Sequence, residues 1–240
     1  MEKRKHLGHK IVAIIPARMG SVGIPGKNHV LLDGLPLIEY TIVAAIGSDL
    51  IDEIIVSTNC PKIIKICQKY KNQLNILVRP DYLSQDESTS EDVVSHACDW
   101  FINNNNDIGK IILLQPTSPI RTSEQIDESL QLFDESGKAS LISVTKPMQH
   151  PYDFVYEINE GVSYMCREKN VSRRQDFEEA WFMNGSIYIC EYNFFRINKK
   201  IYSLDNCLLY KMPIESSIDI DIPFDLEVCE SVIRKIKNEK

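Results

Sequence analysis

The chain has 240 residues, 43% hydrophobic side chains and a formal net charge of −7, enough for one sizeable core and too acidic overall for a broad contact with nucleic acid or an anionic membrane. No segment approaches the ~20 apolar residues that cross a bilayer. The basic start Met1-Glu2-Lys3-Arg4-Lys5 leads only into a short apolar run at 11–15 that ends in Pro16-Ala17-Arg18, a buried first strand rather than a signal segment.

Apolar runs predict strands at 10–15, 53–57, 75–78, 110–114 and 139–144. Several are rich in Ile, Leu and Val without polar alternation, as in strands covered on both faces. Helices are predicted between them at 36–46, 61–70, 90–102 and 123–133, the third carrying Val93, Ala97, Trp100 and Phe101 on one face. The alternation predicts a single α/β domain over 1–240 with a mostly parallel sheet and right-handed crossovers. Residues 103–106 form a polar linker. The pattern breaks between 146 and 183, where Tyr152, Phe154, Tyr156 and Tyr164 surround a hairpin turn at Asn159-Glu160-Gly161. Such an excursion suits a subunit contact or a hairpin folded over its own core. Strands return at 186–190 and 208–212, and a last helix starts near Pro223 with Leu226, Cys229, Val232, Ile233 and Ile236 on one face. Seven scattered cysteines without a C-x-x-C pair predict reduced thiols in a cytoplasmic protein, not a disulfide framework or a zinc site.

Three segments carry chemistry. After the first strand comes Pro16-Ala17-Arg18-Met19-Gly20-Ser21-Val22-Gly23-Ile24-Pro25-Gly26-Lys27-Asn28. A glycine-rich turn there lets backbone N–H groups approach a phosphate, and Arg18 and Lys27 add positive charge. It fails the P-loop pattern twice, with Ser21 and Asn28 at required positions, and the next strand runs into Thr58-Asn59 without the acid a dinucleotide site needs. It is a nucleotide loop of another kind, or only a turn. The second segment, Leu113-Leu114-Gln115-Pro116-Thr117-Ser118-Pro119-Ile120-Arg121-Thr122, brackets polar side chains with prolines, as suits a rigid rim. Thr122 or Ser123 also fits an N-cap for the helix that follows. In the third, Ser217-Ile218-Asp219-Ile220-Asp221-Ile222-Pro223, the i, i+2 spacing in extended chain puts Asp219 and Asp221 on one side and the isoleucines on the other. Paired carboxylates of this kind suit Mg²⁺, which takes one or two carboxylates plus phosphate oxygens and water. The plainer role for Asp221 is to cap the final helix.

In this order, A-R-M-G-S-V-G-I-P-G-K-N, L-L-Q-P-T-S-P-I-R-T, S-R-R-Q-D with N-G-S-I-Y-I, and S-I-D-I-D-I-P-F-D-L resemble the acylneuraminate cytidylyltransferase family, over nearly the whole chain. The resemblance implies a Rossmann-like nucleotidyltransferase fold in which the 146–183 excursion serves as a dimerisation hairpin, so a homodimer is expected. It implies that CMP passes from CTP to the anomeric hydroxyl of a sialic-acid-like keto sugar, with pyrophosphate released. Arg18, Gly20, Ser21, Asn28, Arg79 and Ser90 would bind the nucleotide. Gln115, Arg174 and Tyr188 would bind the sugar, Arg174 reaching across a dimer interface. Lys27, Asp219 and Asp221 would be catalytic, the two aspartates holding Mg²⁺. Transfer of this kind rests on positioning and charge neutralisation rather than a covalent nucleophile.

Three departures accompany the likeness. Val22 stands where the family usually has lysine, forfeiting a charge-assisted contact worth about 1.5–3 kcal/mol. Met19 replaces a small residue and is expected to narrow the approach to the phosphates. Asp153 is an acid where some members carry a base, which leaves the choice of sugar open among sialic, legionaminic and pseudaminic acids and the eight-carbon acid Kdo. A catalytically weak nucleotide-sugar-binding protein of the same fold is the alternative outside catalysis. A nicotinamide oxidoreductase is disfavoured by the loop spacing.

Overall fold

The computed structural model describes residues 9–21, 23–85, 87–158, 161–166 and 173–239. In chain order the elements are β1 (Lys10–Pro16), a small hairpin of β2 (Leu31–Leu32) and β3 (Leu35–Pro36), α1 (Leu37–Gly47), β4 (Glu53–Thr58), α2 (Pro61–Cys67) and β5 (Asn75–Val78). There follow α3 (Ser90–Asn103), β6 (Ile108–Leu114), α4 (Ser123–Ser136), β7 (Ser140–Thr145), the pair β8 (Val155–Ile158) and β9 (Gly161–Tyr164), and β10 (Phe182–Glu191). The chain ends with α5 (Tyr192–Asn198), β11 (Cys207–Lys211) and α6 (Pro223–Asn238).

One seven-stranded sheet, ordered β11-β7-β10-β6-β1-β4-β5, organises the molecule. β10 runs antiparallel to both its neighbours and every other pairing is parallel, so the sheet is mostly parallel as expected. Because side chains alternate across a strand, Ile11, Ala13 and Ile15 of β1 face a core shared with Ile42 of α1, Ile63 of α2, and Ile126 and Phe133 of α4. Val12 and Ile14 face the opposite core, with Val94, Ala97 and Phe101 of α3 and Phe195 of α5. Both faces of β1 are therefore dry, which is why its sequence lacks alternation. Each such side chain contributes roughly 1.5–3 kcal/mol on burial. α3 and α4 begin with reciprocal caps, Thr89 with Asp92 and Thr122 with Gln125, each satisfying two backbone N–H groups that a helix start leaves unpaired.

A third cluster, of Ile24, Leu32, Leu37, Ile120, Ile220, Cys229 and Ile233, lies where the site is built. It buries the middle isoleucine of the aspartate segment under α6 and the glycine loop. Ile222 departs from the expected alternation: it is exposed, because the chain turns there into α6.

β8 and β9 pair with each other and not with the main sheet. The turn expected between them includes Asn159 and Glu160, which lie outside the described residues. Val155, Tyr156, Ile158, Val162 and Tyr164 are all exposed. Beside this pair, Phe177 packs on His150 and Tyr152, and the Trp181 ring lies between the ammonium groups of Lys146 and Lys211. The two turns of structure at β2–β3 and the helix α5 have no counterpart among the expected elements.

Candidate active site

The parallel strands β1, β4, β5 and β6 end on one edge of the sheet, where open α/β sheets bind ligands. Antiparallel β10 begins on the same edge, since Ile187 pairs with Leu114 at the end of β6. A cleft of about 380 Å³ opens there, lined by Arg18, Ser21, Gly23, Lys27 and Asn28 of the glycine loop, Arg79 after β5, Ser88, Thr89 and Ser90 at the start of α3, Gln115, Pro116 and Thr117 after β6, and Asp221. Segments far apart in sequence thus share one wall.

Direct contacts hold these segments in place. The Lys27 Nζ donates to the Ile220 carbonyl at 2.8 Å and to Asp221 Oδ1 at 2.7 Å. Gly23 lies so close to the aspartate segment that a Cβ there would sit 2.2 Å from the Asp221 carbonyl oxygen; glycine is required by contact, not only by flexibility. The Ile220 N–H donates to the Thr117 carbonyl at 2.9 Å, joining the aspartate segment to the glutamine-proline loop. Asn28 spends its side-chain amide on the Arg18 carbonyl at 3.1 Å, bracing the loop from within.

Arg79 is 5% exposed. Its Nε donates to Ser57 Oγ at 3.1 Å and an Nη to the Ser57 carbonyl at 2.8 Å. Among the described residues it has no carboxylate partner, and burial, with the Arg18 charge nearby, pulls its guanidinium down to about 10. A buried cation without a counterion is an anion site in waiting.

On the far side of Gln115 lie Asp219 and Tyr188. β10 carries a register break between Met183 and Tyr188, where Gly185 adopts φ +71°, a left-handed conformation that disfavours any side chain. From the Cβ position of Gly185, Asp219 Oδ2 and Gln115 Oε1 are each 3.9 Å away, so the glutamine and the aspartate converge on this glycine. Burial pushes the Asp219 carboxyl above its ordinary range; the Asp221 and Asp225 charges add to this, while a hydrogen bond from Thr117 and the Lys27 charge oppose it. The Tyr188 hydroxyl is pushed up to about 12 by burial and then by Tyr202, Asp219 and Glu91, and its ring stacks on Tyr202.

Of the residues expected from sequence, Arg18, Ser21, Lys27, Asn28, Arg79, Ser90, Gln115 and Asp221 line the cleft, with Asp219 and Tyr188 adjoining it. Gly20 lies on the exposed loop and does not line the cleft. Arg174 opens a short 3-10 turn, Arg174–Asp176, and its side chain, like Val22, lies outside the described residues. Met19 is 53% exposed and not among the lining residues, so the expected narrowing does not arise. Asp221 does not cap α6: Asp225 Oδ2 accepts from both the Asp221 and Ile222 N–H groups. Thr117, inside the glutamine-proline motif, and Thr89, at the start of α3, line the cleft as well.

Among the described residues no three His, Cys, Asp or Glu side chains gather as a metal cage. Asp221 on the cleft lining and Asp219 adjoining it fit a hard cation that draws its remaining ligands from phosphate and water.

A mostly parallel sheet whose strand ends combine a non-P-loop glycine turn, a buried arginine without a carboxylate partner among the described residues and a pair of aspartates defines a nucleotidyltransferase-type domain. The chain belongs to the cytidylyltransferase family, whose profile matches residues 12–226. It is 33% identical over 215 residues to an N-acylneuraminate cytidylyltransferase of Streptococcus agalactiae serotype V, covering 88% of this chain and 50% of that protein. The chain spans about half the length of the relatives of that name reported for Streptococcus agalactiae and Escherichia coli. It is also 33% identical over 234 residues to the CMP-N,N'-diacetyllegionaminic acid synthase of Legionella pneumophila, covering 93% of this chain and 96% of the relative. Among solved structures, a CMP:2-keto-3-deoxy-manno-octonic acid synthetase complexed with CTP superposes with a TM-score of 0.68 at 17% identity, over 95% of this chain and 99% of that one. At that identity the likeness speaks for the fold.

Proposed function

We propose that this chain transfers CMP from CTP to the anomeric hydroxyl of a nine-carbon acidic keto sugar of the sialic acid type. The observation that carries the reading is the cleft in which buried Arg79, without a carboxylate partner among the described residues, faces the same space as Lys27 and Asp221. The anomeric oxygen forms the new bond to the α-phosphorus, the bond to the bridging oxygen breaks, pyrophosphate leaves, and the hydroxyl proton passes to water. Lys27 and Arg79 bind phosphate oxygens, and the serines and N-terminal N–H groups of α3 add donors to the same wall. Gln115, Tyr188 and Arg174 orient the sugar. Asp219 and Asp221 hold Mg²⁺, which supplies neutralisation of charge on the phosphates. The protein acts as a homodimer in the cytoplasm.

A second acceptor has equal support from the comparisons. The legionaminic acid relative is 33% identical over 234 residues, the same identity as the sialic acid relative of Streptococcus agalactiae serotype V. Pyrophosphate release from CTP, ATP, GTP and UTP with Mg²⁺, against a panel of sialic, legionaminic, pseudaminic and Kdo acids, tests both. Release with CTP and a nine-carbon acid is the expected outcome. CTP binding with no release from any acid would leave only a binding protein.

A further inference from the structure

Beneath the cleft lies a second buried guanidinium. Arg121 is 3% exposed. One Nη donates to the Ser186 carbonyl at 2.6 Å and to the Gln115 carbonyl at 3.3 Å; the other donates to Thr41 Oγ1 at 2.8 Å. Its Nε is buried without a partner, and it has no carboxylate partner among the described residues. Burying a charge in this way is unfavourable, and an apolar side chain of similar volume commonly serves a core as well or better. The three groups it grips belong to three elements: α1, the loop that follows β6, and the register break of β10. Gln115 supplies one wall of the acceptor side. Ser186 directly follows Gly185, the residue on which Gln115 Oε1 and Asp219 Oδ2 converge. Asn184 braces the other side of that break, accepting from the Ser143 hydroxyl at 2.6 Å and from the Ser186 N–H at 3.2 Å. The planar fork of arginine reaches all three partners at once; the single ammonium of lysine does not.

We propose that Arg121 is a positioning residue for the acceptor sugar: by clamping the Gln115 and Ser186 carbonyls to Thr41, it fixes the gap between the Gln115 side chain and the Gly185–Asp219 wall. The inference rests on the placement of the acid at Gln115 proposed above. Gln115 also lines the nucleotide cleft, but the larger effect falls on the acid, because the cations assigned to CTP, Lys27 and Arg79, are held by Ile220, Asp221 and Ser57 and not by Arg121.

The test compares wild type with Arg121→Lys, Arg121→Met, Thr41→Val and Gln115→Ala, measuring kcat and KM for CTP and for the preferred acid, direct CTP binding, and thermal melting. Arg121→Met is expected to raise the KM for the acid about ten-fold or more while CTP affinity stays within about three-fold. Arg121→Lys is expected to recover part of that loss, and Thr41→Val to shift the acid KM in the same direction by less. Should Arg121→Met not fold, the lysine and Thr41 variants carry the same comparison. Parallel loss of CTP affinity, acid affinity and melting temperature would show a purely structural clamp and overturn the proposal. An unchanged acid KM in the Arg121 variants, with Gln115→Ala raising it, overturns the inference alone; an unchanged KM in Gln115→Ala as well overturns the placement of the acid on which it rests.

Discussion

Asp219 and Asp221 stand two positions apart, carry the same charge and are assigned the same ion, yet their surroundings predict opposite effects on the folded protein. The Asp219 carboxyl is raised above its ordinary range by burial, then by Asp221 and Asp225. An acid with a raised folded-state value binds more protons folded than unfolded between the two values, so its contribution to stability falls as pH rises through that window and stays unfavourable at neutral pH. Asp219 keeps access to solvent, so Asp219→Asn removes only a small penalty, and its metal-free melting temperature at pH 7 is expected to stay level or rise slightly. Asp221 instead accepts from the Lys27 ammonium, whose residue is 9% exposed. Asp221→Asn leaves that ammonium with the Ile220 carbonyl and is expected to lower stability by about 1 kcal/mol, since the exposed carboxylate is well screened. Turnover should fall about a hundred-fold in both variants, the size of a lost metal contact worth several kcal/mol. Melts without metal, set beside kinetics with Mg²⁺, check both signs; activity within a few-fold of wild type in either variant removes that residue from the metal role. Gly23 gives a third prediction at this scale. A Cβ there meets the Asp221 carbonyl at 2.2 Å, and backbone cannot swing away as a side chain can. Gly23→Ala should part the glycine loop from the aspartates, and a misplacement of about 1 Å costs on the order of a hundred-fold in turnover, read as kcat at saturating CTP.

At the scale of elements, what sequence could show depends on whether the cause is local. The strand at 75–78 has the boundaries expected, and the helix at 90–102 ends one residue later, because apolar runs, caps and breakers set them. Of the two candidates, Thr122 and Ser123, it is Thr122 that forms the cap, with Gln125; removing it by Thr122→Ala should cost about 1 kcal/mol of stability and leave kcat unchanged, a loss visible by denaturant titration alone. The small β2–β3 hairpin was not legible because it has only two residues per strand. α5 escaped because Tyr192–Asn198 has one fully buried side chain, Phe195, too little to impose a helical period. The antiparallel insertion of β10 between β6 and β7 is a matter of pairing across the chain, which no local pattern encodes. The site shows the same division. Lys27, Asp221 and Gln115 lay in legible motifs and do meet. Arg121 was legible as part of a motif, but its burial depends on packing between α1, β6 and β10, and a charged residue in a loop gives no sequence sign of being enclosed. Asn28 was expected to face the nucleotide. It lines the cleft, yet its amide braces Arg18, a distinction visible only in three dimensions.

At the scale of the whole molecule, the β8–β9 pair exposes apolar groups on both faces, Val155, Val162 and Tyr164 on one and Tyr156 and Ile158 on the other. A two-stranded ribbon is marginal in water by itself, and large exposed apolar patches mark association surfaces. We propose that this ribbon meets a second copy of the chain, which brings segment 173–176 to the partner's acceptor side and completes a site that Gln115 and Tyr188 begin. Tyr156→Asp together with Val162→Asp places one carboxylate on each face of the ribbon without touching the main sheet or the nucleotide cleft. Sedimentation should then report a monomer where wild type gives a dimer. CTP binding should persist, because Arg79, Lys27 and Asp221 all belong to one chain, while the KM for the acid is expected to rise about ten-fold or more as segment 173–176 is withdrawn. A wild-type monomer with full activity would end the dimer proposal. A monomeric variant with an unchanged acid KM would instead confine the acceptor site to a single chain and make Gln115, Tyr188 and Asp219 sufficient for it.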